Sequence, residues 1–386
     1  MFVIPPFRVG IDGSNLRTGG GITHLVELLN AAEPPAHGIS RVVVWGGAGL
    51  LQHLARAPWL ELVYEAALDG SLASRTRWQR SRLEGLVGQA CDLFFAPGGA
   101  YTGRFRPFVT MSRNMLPFEP AERLRYGRLS WMYLKQTLLR GVQVRTMQHA
   151  NGVIFLNDYA RRTVLPAVAG FRGETRVIPH GVDPLFSCPP RVQQPIDRYS
   201  TTRPFRLLYV STIDVYKHQW TVADAVANLR ARGVPVTLDL IGNAYGPALA
   251  RLQATLRKID PHGEAIKYEG SVAHAELPAR YQAADLFVYA SSCENMPNIL
   301  LESMAAGLPI ASSHHGPLPE MLGEAGCYFD PEDVGSIETA LIDLIESPDR
   351  RTTMAAGAHA RAQAYSWRKC AAETFEFLRQ IRSATR

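Results

Sequence analysis

Residues 293–310 read Cys293-Glu-Asn-Met-Pro-Asn-Ile-Leu-Leu-Glu-Ser-Met-Ala-Ala-Gly-Leu-Pro-Ile310. The run before them, Asp285-Leu-Phe-Val-Tyr-Ala-Ser-Ser292, has the continuous apolar centre of a strand buried on both faces of a parallel sheet. Pro297 suits a first helical turn, where an N–H would be unpaired in any case. Gly307 suits the left-handed residue that stops a helix, and Pro309 blocks its continuation. The segment therefore reads strand, loop, short helix, strand. Glu294 falls at the carboxyl end of the first strand and Glu302 inside the helix. Ligands of open α/β sheets bind at that edge, and N–H groups from Met296 to Ile299 would face an incoming anion there. Carboxylates beside an anion site are suited to accept hydrogen bonds from neutral hydroxyls, those of a ribose and a sugar. Either Glu alone would more often be a dipole partner or a solvated side chain.

Working outward, the alternation continues. Strands are expected at 8–13, 41–46, 60–65, 93–97, 107–112, 152–157 and 176–179, with helices at 22–30, 75–90 and 124–149. After residues 187–204, where four prolines stand among polar residues, strands are expected at 205–211, 236–242, 265–270, 285–290, 309–312 and 327–330. Helices should fill 221–232, 247–259 and 276–284, and an amphipathic helix spans 369–382. The fold class is α/β, two Rossmann-like halves with mostly parallel sheets. The expected organisation is a first domain over 1–186, a linker over 187–204, a second domain over 205–368 and a C-terminal helix over 369–386.

The 386 residues suffice for two cores, and 46% hydrophobic with 20% charged residues is ordinary for a globular protein. No run of eighteen apolar residues occurs, and Met1-Phe-Val-Ile-Pro-Pro-Phe-Arg8 is too short and Pro-rich for a signal peptide, so a cytoplasmic location is expected. Five scattered cysteines fit a reducing compartment and no metal site, and Cys293 reads as a buried filler. The net charge of +6 is uneven: residues 1–200 carry 23 Lys/Arg against 14 Asp/Glu. The excess concentrates in 101–150, at Arg104, Arg106, Arg113, Arg123, Arg125, Arg128, Lys135, Arg140 and Arg145. The segment is a candidate surface for phosphates or anionic lipid, or else a solvated basic helix face; with Trp131, Met132, Tyr133 and Leu134 among the cations, 119–149 would suit contact with anionic membrane at its inner face. No nucleic-acid motif accompanies the charge.

Two further segments carry chemistry. Asn15-Leu-Arg-Thr-Gly-Gly-Gly-Ile-Thr-His-Leu25 joins a strand to a helix, and glycines there let backbone approach a phosphate or sugar. It is not Gly-x-Gly-x-x-Gly, which disfavours a dinucleotide. Lys217, in Leu207-Leu-Tyr-Val-Ser-Thr-Ile-Asp-Val-Tyr-Lys-His-Gln219, can neutralise a diphosphate leaving group as charge grows on it.

Glu294-x7-Glu302 resembles the Glu-x7-Glu motif of retaining family 4 glycosyltransferases, the glycosyl transferases group 1. The resemblance covers most of 176–375 and more loosely the start of the chain. It implies the GT-B fold, an acceptor-binding first domain and a nucleotide-sugar-binding second domain whose parallel sheets face a central cleft. A C-terminal helix then crosses back to the first domain. It assigns Glu294 to the transferred sugar, Glu302 to the ribose, and Gly20 and Gly21 to the donor. Lys217 matches the Lys of the family's Gly-Arg-Leu-x-x-x-Lys-Gly segment, but Ser211 and Thr212 replace its Gly and Arg. Thr212 or an arginine elsewhere must then meet the phosphate. Asn295, Met296 and Asn298 join the donor set, with Gly242, Ser271 and Val272 offering backbone to the base. Val177-Ile-Pro-His-Gly-Val-Asp183 resembles a structural family segment with His180 for Asn. Arg113 and Asn114 stand where many members have His-Asp; they can bind hydroxyls or phosphate but not act as a base.

The implied activity is retaining, metal-independent transfer of a sugar from a UDP- or GDP-linked donor, with no cofactor. The acceptor would be a glycan or lipid-linked glycan, as in bacterial surface polysaccharide or lipopolysaccharide synthesis. A sugar-nucleotide 2-epimerase of the same architecture needs acid–base groups that Arg113 and Asn114 do not supply. A degenerate nucleotide-sugar-binding protein is the third reading.

Overall fold

The computed structural model describes residues 5–17 and 19–385. Outside these lie residues 1–4, read above for a leader, residue 18 of the glycine-rich loop, and residue 386. The chain divides into two units. One comprises the chain up to Pro120, Arg128–Gly181 and the chain from Ser366; the other comprises Ala121–Gly127 and Val182–Tyr365.

In the first unit seven strands form one parallel sheet: β1 (Phe7–Asp12), β2 (Ile39–Gly46), β3 (Leu60–Tyr64), β4 (Leu93–Ala96), β5 (Phe108–Ser112), β6 (Gly152–Phe155) and β7 (Glu174–Val177). Their order is β3-β2-β1-β4-β5-β6-β7. Leu93-Phe-Phe-Ala96 and Phe108–Ser112 are buried along their whole length, which is why they read as unbroken apolar runs. The C-terminal helix, Trp367–Ala384, groups with this unit. Its Phe377 and Ile381 lie where a Cβ on Gly152 would sit, and Arg176 donates to Gln380 at 2.6 Å.

The second unit is a six-stranded parallel sheet: β8 (Phe205–Val210), β9 (Val236–Ile241), β10 (Ile266–Gly270), β11 (Leu286–Tyr289), β12 (Ile310–Ser313) and β13 (Gly326–Phe329). The order is β10-β9-β8-β11-β12-β13. In each sheet the direction of winding reverses once, between β1 and β4 and between β8 and β11. These are the positions where loops diverge and leave room for a ligand.

All thirteen expected strands are present, with ends shifted by at most two residues. The expected helix over 124–149 is instead two. Pro120–Leu124 stops at Gly127, which has φ +83°, and a second helix, Trp131–His149, starts where Ser130 accepts the Tyr133 N–H at 3.0 Å. Residues 187–204 do not behave as a tether, because they group with the second unit. Arg191 there donates to Gln282 O at 2.9 Å and pairs with Asp285 at 2.8 Å. Helices Val334–Glu346 and Pro348–Ala362 have no counterpart in the sequence reading.

Gly181 explains the His-Gly-Val-Asp segment. A Cβ there would lie 2.1 Å from the Trp367 nitrogen, so only glycine lets the C-terminal helix start where it does. Replacing Gly181 by Ala should destabilise the first unit by about 2 kcal/mol or more, read as a lower urea midpoint.

Candidate functional site

The loops after β8 and β11 leave the same edge of the second sheet. After β8, the turn is pinned by Ile213, whose N–H donates to Asn243 O at 2.7 Å and whose carbonyl accepts from Tyr245 at 2.9 Å. Lys217 N–H then donates to Asp214 O at 3.0 Å, and His218 takes a left-handed conformation at φ 50° before helix Gln219–Ala231. Tyr209, from β8 itself, donates its hydroxyl to Lys217 O at 2.5 Å. The lysine is thus fixed at its backbone, and only 6% of it is exposed.

Its ammonium pairs with Glu294 and donates to the Tyr289 hydroxyl at 3.0 Å, while Tyr289 donates to Glu294 Oε1 at 2.6 Å. Lys217, Glu294 and Tyr289 form a closed triangle from two loops and the end of β11. Burial, and then the Glu294 charge, push the Tyr289 phenol well above its ordinary range, so it stays a proton donor to the carboxylate. Tyr289 was not singled out from the sequence, where it is one aromatic residue in an apolar run.

Glu302 lies within helix Asn298–Ala305, which Pro297 caps rather than begins: Pro297 O accepts the N–H groups of Leu300 and Leu301 at 3.1 and 3.3 Å. Gly307 ends the turn at φ +66°. The Glu302 carboxylate is buried, accepts from the Tyr281 hydroxyl at 3.0 Å and has His274 Nε2 at 4.0 Å. Desolvation raises its pKa to about 7; the Tyr281 bond opposes that, and Asp183 adds to it. Near neutrality it holds a proton in a large share of molecules.

Asn295 and Met296 are buried and Asn298 is half-buried at the start of the same helix. Gly242, at φ +147°, ends β9 so close to the β8 loop that a Cβ would meet Ser211 O at 2.1 Å. Its carbonyl accepts from the Tyr268 hydroxyl at 3.0 Å. Ser271 is exposed and Val272 half-buried just after β10. Thr212 is exposed, and its carbonyl accepts from Gln219 at 3.0 Å.

In the first unit, helix Gly20–Asn30 follows β1, and Gly19 precedes it at φ +61°. Arg113, just after β5, lays its guanidinium on the helix's first carbonyls, 2.5 Å from Gly20 O and 3.4 Å from Gly21 O. The structure therefore joins Gly20, Gly21 and Arg113, which the sequence reading had treated separately. Burial lowers the Arg113 pKa to about 10, which leaves it charged at neutral pH. Its positive charge adds to that of the helix start, a combination suited to an anion. Asn114 serves the turn: its Oδ1 accepts the Leu116 N–H at 3.1 Å.

The family model for glycosyl transferases group 1 matches residues 204–347. That match lies within the second unit and makes it similar to the family. Among curated proteins, the chain is 36% identical over 109 residues to the O-antigen chain mannosyltransferase B of Escherichia coli, covering 28% of this chain and 29% of that protein. It is 28% identical over 255 residues to a GDP-mannose-dependent alpha-(1-6)-phosphatidylinositol monomannoside mannosyltransferase of Mycobacterium tuberculosis, covering 62% and 64%. The chain thus spans less than two thirds of the length of these two relatives. Among solved structures, sucrose-phosphate synthase of Thermosynechococcus elongatus matches at a TM-score of 0.77 and 18% identity over 98% of this chain and 99% of that one. Anabaena Alr3699/HepE in complex with UDP matches at 0.70 and 20% identity over 96% and 99%. These likenesses show the GT-B fold.

The buried Glu302 makes stability depend on pH. Its folded pKa lies above the ordinary carboxyl value of 4.5, so its stabilising contribution is complete below that value and is lost as pH rises through about 7. Glu302→Gln should therefore gain melting temperature relative to wild type between pH 5 and pH 8. A gap that stays constant across that range would show the carboxyl to titrate normally.

Proposed function

We propose that the protein transfers a sugar, with retention and without a metal, from a UDP- or GDP-linked donor to a glycan or lipid-linked glycan. The observation that carries this is the buried Lys217–Glu294–Tyr289 triangle at the sheet's winding reversal, with Glu302 one helix away. In this reading Glu302 accepts hydrogen bonds from the ribose hydroxyls and Glu294 from those of the sugar. Lys217 sits where negative charge grows on the departing diphosphate, and the start of helix Asn298–Ala305 adds its positive end. The bond from the sugar's C1 to the phosphate oxygen breaks and the acceptor oxygen bonds to C1 on the same face. The acceptor's proton passes to the departing phosphate. The family match and the two mannosyltransferases support transfer over epimerisation and make GDP-mannose a first donor to test.

Purified protein offered UDP-, GDP- and dTDP-sugars should bind at least one tightly and release its nucleoside diphosphate when acceptor is added. Glu294→Gln should keep nucleotide affinity and lose turnover by roughly a hundredfold. Unchanged turnover would remove Glu294 from the reaction.

The lipid-linked acceptor, and a place at the inner face of the cytoplasmic membrane, draw support from helix Trp131–His149. Its burial is inverted. Gln136, Gln143 and Thr146 face inward, while Trp131, Leu134, Leu138 and Val142 stand 68%, 49%, 59% and 37% exposed at three- and four-residue spacing. Arg128, Lys135 and Arg145 are exposed along the same stretch, and residues 123–157 contain no Asp or Glu. An apolar stripe edged by cations fits an anionic bilayer. Part of the basic excess is already neutralised, since Arg125 pairs with Glu122 and Glu332. The protein should sediment with anionic vesicles at low salt, and Leu134→Glu with Leu138→Glu should abolish this while leaving nucleotide binding intact. A dimer that the same substitutions disperse, with no vesicle binding, would instead make the stripe a self-association face.

A further inference from the structure

Residues Ala121–Gly127 group with the second unit, although β5 before them and helix Trp131–His149 after them belong to the first. Their polar anchors run to the two loops that carry Lys217 and Glu294. Glu122 is 6% exposed; its Oε2 accepts from Ser292 Oγ at 2.7 Å and from Arg125 Nε at 2.7 Å. Arg125 reaches on to Glu332, with one nitrogen–oxygen distance of 2.9 Å. Ser292 stands two residues before Glu294. Its N–H donates to Tyr216 O at 2.9 Å, and its hydroxyl lies 2.9 Å from His218 Nε2.

The second anchor is Tyr126. Its hydroxyl donates to Asp214 Oδ1 at 2.8 Å, and its ring stands edge-on to Tyr245 at 5.6 Å. Asp214 accepts the Val215 N–H at 2.7 Å and, through its carbonyl, the Lys217 N–H at 3.0 Å. A buried carboxylate is costly unless it is paired and hydrogen-bonded, and Glu122 is both. One anchor thus reaches the turn before Lys217, and the other reaches the turn before Glu294.

We propose that Ala121–Gly127 is a clasp that sets the spacing of Lys217 and Glu294, with Glu122 and Tyr126 as positioning residues for sugar transfer. The clasp rests on reading those two groups as the transfer site. Its contribution falls on the reacting bond rather than on nucleotide affinity, because a small misplacement of aligned groups costs rate far more than binding. Glu302 and the backbone around Gly242, which would grip the nucleoside, are held by Tyr281 and Tyr268, outside the clasp.

Tyr126→Phe removes one hydroxyl and leaves the ring against Tyr245. In the full-length protein with its best donor, kcat should fall about tenfold or more. The nucleoside diphosphate Kd should stay within about threefold, as for a loss confined to the transition state. In a cycle with Asp214→Asn, the double variant should lose little more than the worse single variant. Glu122→Gln, which keeps the shape and removes the charge, should show the same split between kcat and Kd. An unchanged kcat in Tyr126→Phe, fully additive losses in the cycle, or a parallel collapse of Kd and melting temperature would overturn the clasp. If wild type turns over no donor, the transfer reading itself fails. The clasp is then read by amide hydrogen exchange of 211–217 and 292–296, which should quicken in Tyr126→Phe; unchanged exchange would overturn it.

Discussion

β8 and β11 lie side by side and parallel, with Leu207 opposite Leu286 and Leu208 opposite Phe287. Parallel neighbours need long crossovers, and here the chain winds out through β9 and β10 before returning. Both strands consequently end at one edge. Residues 77 positions apart in the chain can then share a hydrogen bond, as Lys217 and Glu294 do. Without that adjacency Lys217 and Glu294 would not meet. The glycine at 242, the left-handed His218 and the proline cap at 297 adapt loops to a geometry the sheet has already imposed.

The ion pair built there is poorly explained by stability alone. Its side chains are only 7% and 12% exposed, and pairs so sequestered often stabilise no better than apolar residues of like volume. Removing one member, by contrast, leaves a stranded charge at a cost of about 3–5 kcal/mol. The pair stands at the sheet edge where open α/β folds bind ligands, which is the setting in which such charges are useful. Tyr289 bonds to both members, which limits the directions in which the carboxylate can turn.

The architecture was legible because parallel strands buried on both faces leave unbroken apolar runs, and β11 and the Leu207–Val210 part of β8, the two strands that lead into the site, announce themselves this way. The helices over 334–362 were less visible, with small and charged residues filling much of Pro348–Ala362. Glu294, Glu302 and Lys217 could be found because each stands at a strand end or in a helix bounded by Pro and Gly. Tyr289, Tyr281 and Glu122 could not. Their roles come from what lies opposite them in space, and no local pattern records that Glu122 meets Ser292 across 170 positions. Two cations of the basic stretch have protein partners that no local pattern records: Arg113 meets helix carbonyls and Arg125 two glutamates.

The protonated share of Glu302 has a consequence beyond the fold. A ribose hydroxyl donates its hydrogen to a carboxylate more strongly than to a neutral acid, so a ligand seated on Glu302 favours the form that has shed its proton. Occupancy and acidity are then reciprocally linked. Below about pH 7 each unit of acidification should weaken such a ligand by up to about tenfold, and each binding event should discharge a fraction of a proton into the buffer.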